Sequence, residues 1–361
     1  MPTEQVARVF SQQAGACTRL GSPLYGALLE RAAQDVREGG PCAAAVAGHE
    51  EADVSAAVPL RLLGAVHALA LAGRAPDVAA HYPSTGGVFD PGRPDAAWPA
   101  VREAVAGEPD WIGEWMTRPP QTNEVGRANL LLAGLLYAVP APQTPVRLFE
   151  LGASAGLNLR ADQFRCTADG FAWGPQDSPV LLESAWRGPV PSWLSEGGRR
   201  HEHLRVVERR GCDTDPVDPV SAEGSLALRA YVWPDQTDRM ARLEGALKVA
   251  AKVPATVEAA GAEEFLAGIR LEPGTFTVVW HSVMRQYVPG ERWEQVERQL
   301  ERLAAAAGPD AGFAVVRFEP QGVAPAAGRF RATVRVAGEP ERELADAQPH
   351  GLPAWSPDTP S

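Results

Sequence analysis

Glu150, Gly152, Ser154 and Gly156 fall at every second position behind a short, mostly apolar run, Val146-Arg147-Leu148-Phe149. A run of that length suits a buried strand. The small residues from Gly152 to Gly156 suit a tight turn that lets a ligand approach the backbone closely. Leu157 and Leu159 then open a helical stretch, with Asn158 in its first turn. A strand, a glycine turn and a helix in succession present backbone N–H groups to a nucleotide-like ligand. The same turn also occurs in α/β proteins that bind nothing there, so the elements around it decide what it means.

The chain has 361 residues, enough for one large or two modest domains with a real core. Its 45% apolar and 22% charged content is that of an ordinary globular protein. A net charge of -11 argues against a nucleic-acid partner and against an anionic membrane surface. No apolar run of about 18 residues occurs, so no transmembrane helix is expected. Residues 1–13 lack a basic region followed by an apolar core, so they do not read as a secretory signal. Cys17, Cys42, Cys166 and Cys212 form no C-x-x-C pair. No metal site is therefore expected, and a cytoplasmic location fits.

Residues 1 to about 120 predict a helical domain. Ser22-Pro23 is a helix start, with Ser as the N-cap and Pro at the first helical position. Leu24, Leu28, Ala32 and Val36 form one face, and Gly39-Gly40 stops it. A further helix is expected from Pro59 to about Ala72, a loop over 81–95, and one amphipathic helix within 98–116. The reading is a cap covering the mouth of a second domain over 121–361.

In that second domain, Pro119-Pro120 breaks the chain and Thr122 or Asn123 caps a helix rich in leucine. The glycine-turn strand follows. Residues 160–200, with Phe164, Phe171, Trp173 and Trp186, read as an inserted aromatic lid, with 197–200 as its mobile part. Leu204–Asp213 is the second strand and Thr256–Glu258 a weak third. Phe276–His281 is a strong buried strand, followed by an amphipathic helix over 291–307. Ala311–Phe318 gives the fifth strand, and Phe330–Val336 with Glu341–Ala345 a final hairpin. Strands alternating with helices predict a doubly wound α/β sheet, mostly parallel, with an antiparallel last strand.

Glu150-Leu151-Gly152-Ala153-Ser154-Ala155-Gly156 resembles the first motif of the class I S-adenosylmethionine (SAM) methyltransferases, an acid followed by Gly-x-Gly-x-Gly. Ser154 stands at the usual middle glycine. With 119–127 and Tyr231-Val232-Trp233-Pro234-Asp235-Gln236, the chain also resembles an actinobacterial family defined only as a domain of unknown function. The first resemblance implies a Rossmann-like methyltransferase sheet and S-adenosyl-L-methionine as cofactor. It implies that Asp213, at the tip of the second strand, takes the ribose hydroxyls, with Glu208 as the alternative. A carboxylate accepts both O–H bonds at once, which suits an acid to that place. Asn123 or Arg127 would meet the carboxylate and amine of a bound amino acid. Glu263 stands near the adenine position, though out of the usual register, and Trp280-His281 at the tip of the fourth strand, beside the reaction centre.

The chemistry that follows is transfer from a sulfonium carbon, which needs positioning more than covalent help. His281 is the candidate base, because histidine titrates near neutrality. Tyr231, Trp233 and Tyr287 are candidates to face the sulfonium through cation–π contact. The amino-methylating motif Asn-Pro-Pro-Tyr is missing, so a small-molecule substrate is expected, with a monomer or homodimer as the assembly. Two other readings stay open. One is a SAM-consuming cyclase or lyase that releases methylthioadenosine as the amino group closes a four-membered ring. The other is a non-catalytic scaffold that binds a SAM-like ligand.

Overall fold

The computed structural model describes residues 2–49, 56–321 and 329–357. By its internal contacts the chain forms two units. Met1–Thr122 with Ser221–Ala241 make the first, and Asn123–Val220 with Arg242–Ser361 the second. The segment 221–241, read from sequence as part of the second domain, thus belongs to the first unit.

The first unit is helical. Ser22 caps the helix Pro23–Arg37 as predicted, its hydroxyl accepting from the Tyr25 amide at 3.2 Å. The same hydroxyl donates to Asp235 at 2.6 Å. Gly39, at a φ of 72°, ends the helix. The helix expected over 98–116 is two, Trp98–Gly107 and Pro109–Met116. Pro109 explains the break, since a proline disfavours the α conformation in the residue before it. Phe10, Leu28, Leu29, Leu62, Leu63 and Trp233 are among the side chains of its core.

Among the described residues, the second unit carries eleven strands: β1 (Pro145–Leu151), β2 (Arg165–Ala168), β3 (Phe171–Trp173), β4 (Leu181–Leu182), β5 (Arg205–Asp213), β6 (Thr256–Ala259), β7 (Thr275–Ser282), β8 (Ala311–Pro320), β9 (Phe330–Val336), β10 (Arg342–Ala347) and β11 (Ala354–Trp355). Eight form one sheet, in the order β11-β10-β9-β8-β7-β1-β5-β6. From β6 to β8 all neighbours are parallel, and β9, β10 and β11 each run antiparallel to the strand before them. The unit is therefore α/β with a large, mostly parallel sheet. The antiparallel part is a three-strand meander rather than one last strand. β11 has two residues and carries no periodicity to read.

One sheet face presents Phe149, Leu151, Val279 and Val315 to Phe265, Leu266, Trp293 and Leu300 on the helices Ala262–Gly268 and Gly290–Ala306. On the other face, the helix Ala128–Ala138 meets β8 through Gly134, where a Cβ would stand 2.6 Å from Val316. The aromatic insertion is not a loop. It builds a second sheet, β3-β2-β4, and the helix Ser192–Arg200. Gly197, expected in a mobile tip, lies within that helix and packs on the Leu136 backbone. Asn129 ties the insertion down, donating to the Ala185 carbonyl and accepting from the Trp186 indole.

Candidate functional site

β1 lies at the centre of the parallel part of the sheet, between β5 on one side and β7 on the other. The glycine turn leaves its C-terminal end. Gly152, Ser154 and Gly156 take φ values of 66°, 52° and 65°. Left-handed backbone explains why glycine suits these places, and Ser154 adopts it as a non-glycine. A Cβ on Gly156 would stand 2.8 Å from Val257, so the turn is also tightly enclosed.

Asp213, at the tip of β5, closes the turn. Its Oδ2 accepts from the Ser154 amide at 2.8 Å and its Oδ1 from the Asp215 amide at 3.0 Å. Asn123 accepts from the Leu157 amide at 2.8 Å. The Ala153 amide donates to the Cys212 carbonyl at 2.9 Å, and that of Gly156 to Ala153 at 2.7 Å. The amides expected to face a ligand are thus bonded within the protein at Ala153, Ser154, Gly156 and Leu157. The helix behind the turn is a seven-residue 3-10 segment, Leu157–Gln163, irregular at Arg160.

Glu150 is buried beneath the turn, and Trp280 donates its indole N–H to Oε1 at 3.1 Å. Burial pushes the Glu150 carboxyl up to about 8, against the opposing hydrogen bonds from Trp280 and Asn158. Asn158 also donates to the Glu124 carbonyl at 3.3 Å. Buried Arg160 donates to the carbonyls of Val253 and Gly156, and burial lowers its pKa to about 10.

Several predicted site residues stand elsewhere. His281 is fully buried, its ring 5.1 Å from that of Trp293. Trp280 bonds Glu150 on one face of β7, so its neighbour His281 points to the other. Nδ1 of His281 lies 2.8 Å from the Glu319 carboxylate, which fixes that nitrogen as the donor. His281 therefore does not stand open as a base. Trp280 is likewise fully buried and has no ring face to offer a ligand. Tyr231 and Trp233 belong to the first unit, where Tyr231 packs on Gly64 and Trp233 sits 6.0 Å from Tyr25. Glu263 pairs with Arg292 at 2.6 Å, Glu208 sits mid-strand with Arg147, and Arg127 donates to the Pro349 carbonyl at 3.2 Å. Tyr287 is 65% exposed on a short turn after β7.

Two residues passed over in the sequence reach this region. Met284 packs over Gly152, where a Cβ would come 3.0 Å from its own Cβ. Glu319 accepts from the Met284 amide at 3.2 Å. Glu319 ends the apolar strand β8 as Glu150 nears the end of β1, a pattern that could have marked it. Among the described residues, no helix is long and apolar enough to cross a membrane.

A glycine turn at the C-terminal edge of β1, tied to an acid on the next strand, belongs to an α/β protein with a large, mostly parallel sheet. The chain belongs to the family described as "Uncharacterized protein conserved in bacteria (DUF2332)", whose model matches residues 7–355. No curated protein and no solved structure matches it.

Proposed function

We propose that the second unit binds S-adenosyl-L-methionine at the glycine turn and acts as a transferase on a small molecule, with S-adenosylhomocysteine as product. The observation behind this is the place of the turn. It leaves β1, whose partners β5 and β7 lie on opposite sides. In open α/β sheets, ligands bind outside the C-terminal ends of the strands at such a switch point.

The residues fit in part. Each Asp213 oxygen accepts one amide and keeps a lone pair for a ribose hydroxyl. Gly152 leaves room for a ligand only where the flexible Met284 side chain now lies. Burial raises the Glu150 carboxyl beneath the turn to about 8, which favours its neutral form at pH 7. Bound there, SAM would supply an electrophilic methyl group on a sulfonium. The protein's own part is to orient and to exclude water. Tyr287, exposed on the turn after β7, is the candidate to line the acceptor side, and buried His281 holds structure rather than a proton in transit.

A second reading has its own support. The four turn amides bonded within the protein offer no donor to a ligand, which suits a fold kept as a scaffold without turnover. Calorimetry with SAM and S-adenosylhomocysteine tests the binding, and chromatography of SAM incubated with an acceptor panel tests the reaction. S-adenosylhomocysteine marks methyl transfer. Methylthioadenosine above its spontaneous release marks the cyclase or lyase. Tight binding with neither product favours the scaffold, and no binding at all removes the proposal.

A further inference from the structure

We propose that Met284 governs access to the glycine turn and that Glu319 is the positioning residue that holds it in place. The inference deepens the reading above, because the ligand admitted is the one that reaches Gly152.

β7 ends at Ser282, and Val283 follows at a φ of 52°. A β-branched residue rarely takes that conformation, and such strain persists only where the surroundings impose it. Here they do. The Val283 amide donates to the Phe318 carbonyl at 2.8 Å. One oxygen of Glu319 then gathers the next donors: the Met284 amide at 3.2 Å, the Arg285 amide at 3.5 Å and His281 Nδ1 at 2.8 Å. The carboxylate thus fixes the turn from below, and His281 fixes the carboxylate.

The outcome of that fixing is the placement of Met284. Its Cβ, Cγ and Cε lie 3.0, 3.4 and 3.5 Å from the point where a Gly152 Cβ would be. Methionine has three rotatable bonds and adapts its shape at small cost. Rotation about its side-chain bonds can therefore carry Cγ and Cε from Gly152, while Cβ stays with the Glu319-bound backbone. A ligand approaching the Gly152 backbone must displace that outer part of the side chain and pass the fixed Cβ.

The protein carries its own reporter. Cys212, at the tip of β5, is 1% exposed and belongs to the apolar cluster on which Met284 packs. Burial pushes its thiol up to about 12, against a backbone hydrogen bond from Gly152. The thiol thus meets Gly152, the residue on which Met284 packs, so loss of the Met284 side chain should open its surroundings to reagent.

The experiment is iodoacetamide labelling of the whole protein, resolved by residue with mass spectrometry. Cys17, Cys42 and Cys166, all buried, serve as references. Met284→Ala should raise the Cys212 rate by about tenfold or more, as local opening predicts, while Met284→Leu keeps the slow rate. Glu319→Ala should raise Cys212 alone, with Met284 still present. Both fast variants should also take up SAM with a higher association rate, which a purely structural role would leave unchanged. An unchanged Cys212 rate in Met284→Ala overturns the proposal. So does a joint rise at all four cysteines in Glu319→Ala, since that marks general loosening. If the native protein binds no SAM, the proposed function falls, and the thiol rates alone still decide whether Met284 is the cover.

Discussion

The Asp213 carboxylate accepts the Ser154 amide at 2.8 Å, so the acid of β5 is bonded to the middle of the turn that leaves β1. That bond gives Asp213 a structural duty before any ligand arrives. Asp213→Ala should cost about 1–3 kcal/mol, the range for stranding hydrogen-bond partners of a partly buried group. Asp213→Asn, which keeps one acceptor, should cost less. Urea titration reads the stability, and calorimetry on the folded variants reads SAM affinity. A ribose role requires Asp213→Asn to weaken binding beyond its effect on stability.

Glu150 predicts a pH dependence. Its folded pKa of about 8 stands above the ordinary value of 4.5, because burial disfavours the charged form. An acid shifted upward stabilises the fold fully below the unfolded value. It loses that contribution as pH rises toward the folded value. Stability should therefore fall from about pH 5 to pH 8 and level off beyond. Glu150→Gln mimics the neutral acid, so its urea midpoint should vary less across that window and exceed the native one at pH 8. A native midpoint that rises over the same window would contradict this.

Gly156 should tolerate no side chain. Its φ of 65° and the 2.8 Å gap to Val257 make Gly156→Ala both strained and overpacked. The expected loss is about 2–4 kcal/mol by urea titration. Gly152, at a φ of 66°, faces Met284 instead, with a wider gap of 3.0 Å to its Cβ. Gly152→Ala should therefore cost less than Gly156→Ala and should be the cleaner test of ligand access.

The strands that build the site were legible because each is a short apolar run with a clear stop. β1, β5, β7 and β8 fall within a few residues of the runs at 146, 204, 276 and 311. The acid at Asp213 was legible as well, but not its bond to Ser154, which joins residues 59 positions apart. Trp280 and His281 show another limit. Adjacent strand residues face opposite ways, so only one of them can meet Glu150. A strand apolar on both faces does not say which. Tyr231 and Trp233 qualify by residue type for a cation–π role, and residue type does not say that 221–241 packs with the helical unit. Met284 carried no signal, since its role depends on the turn that the strained Val283 imposes.

His281 provides the sharpest distinction between chemistry and structure. A base in contact with substrate should, when removed, cut turnover and spare the fold. His281 is fully buried and is bonded through Nδ1 to Glu319. Its removal takes the shortest of three donors from a carboxylate oxygen that is left with the Met284 and Arg285 amides, on a residue only 8% exposed. His281→Ala should therefore destabilise the protein by about 2–4 kcal/mol, from the lost partner and the cavity together. The double variant His281→Ala, Glu319→Ala should be less destabilised than the sum of the singles, because the carboxylate that lost its donor is gone. Thermal and urea unfolding of the three variants reads this coupling. Additive losses, or a native-like His281→Ala midpoint with turnover abolished, would return His281 to the role of a base.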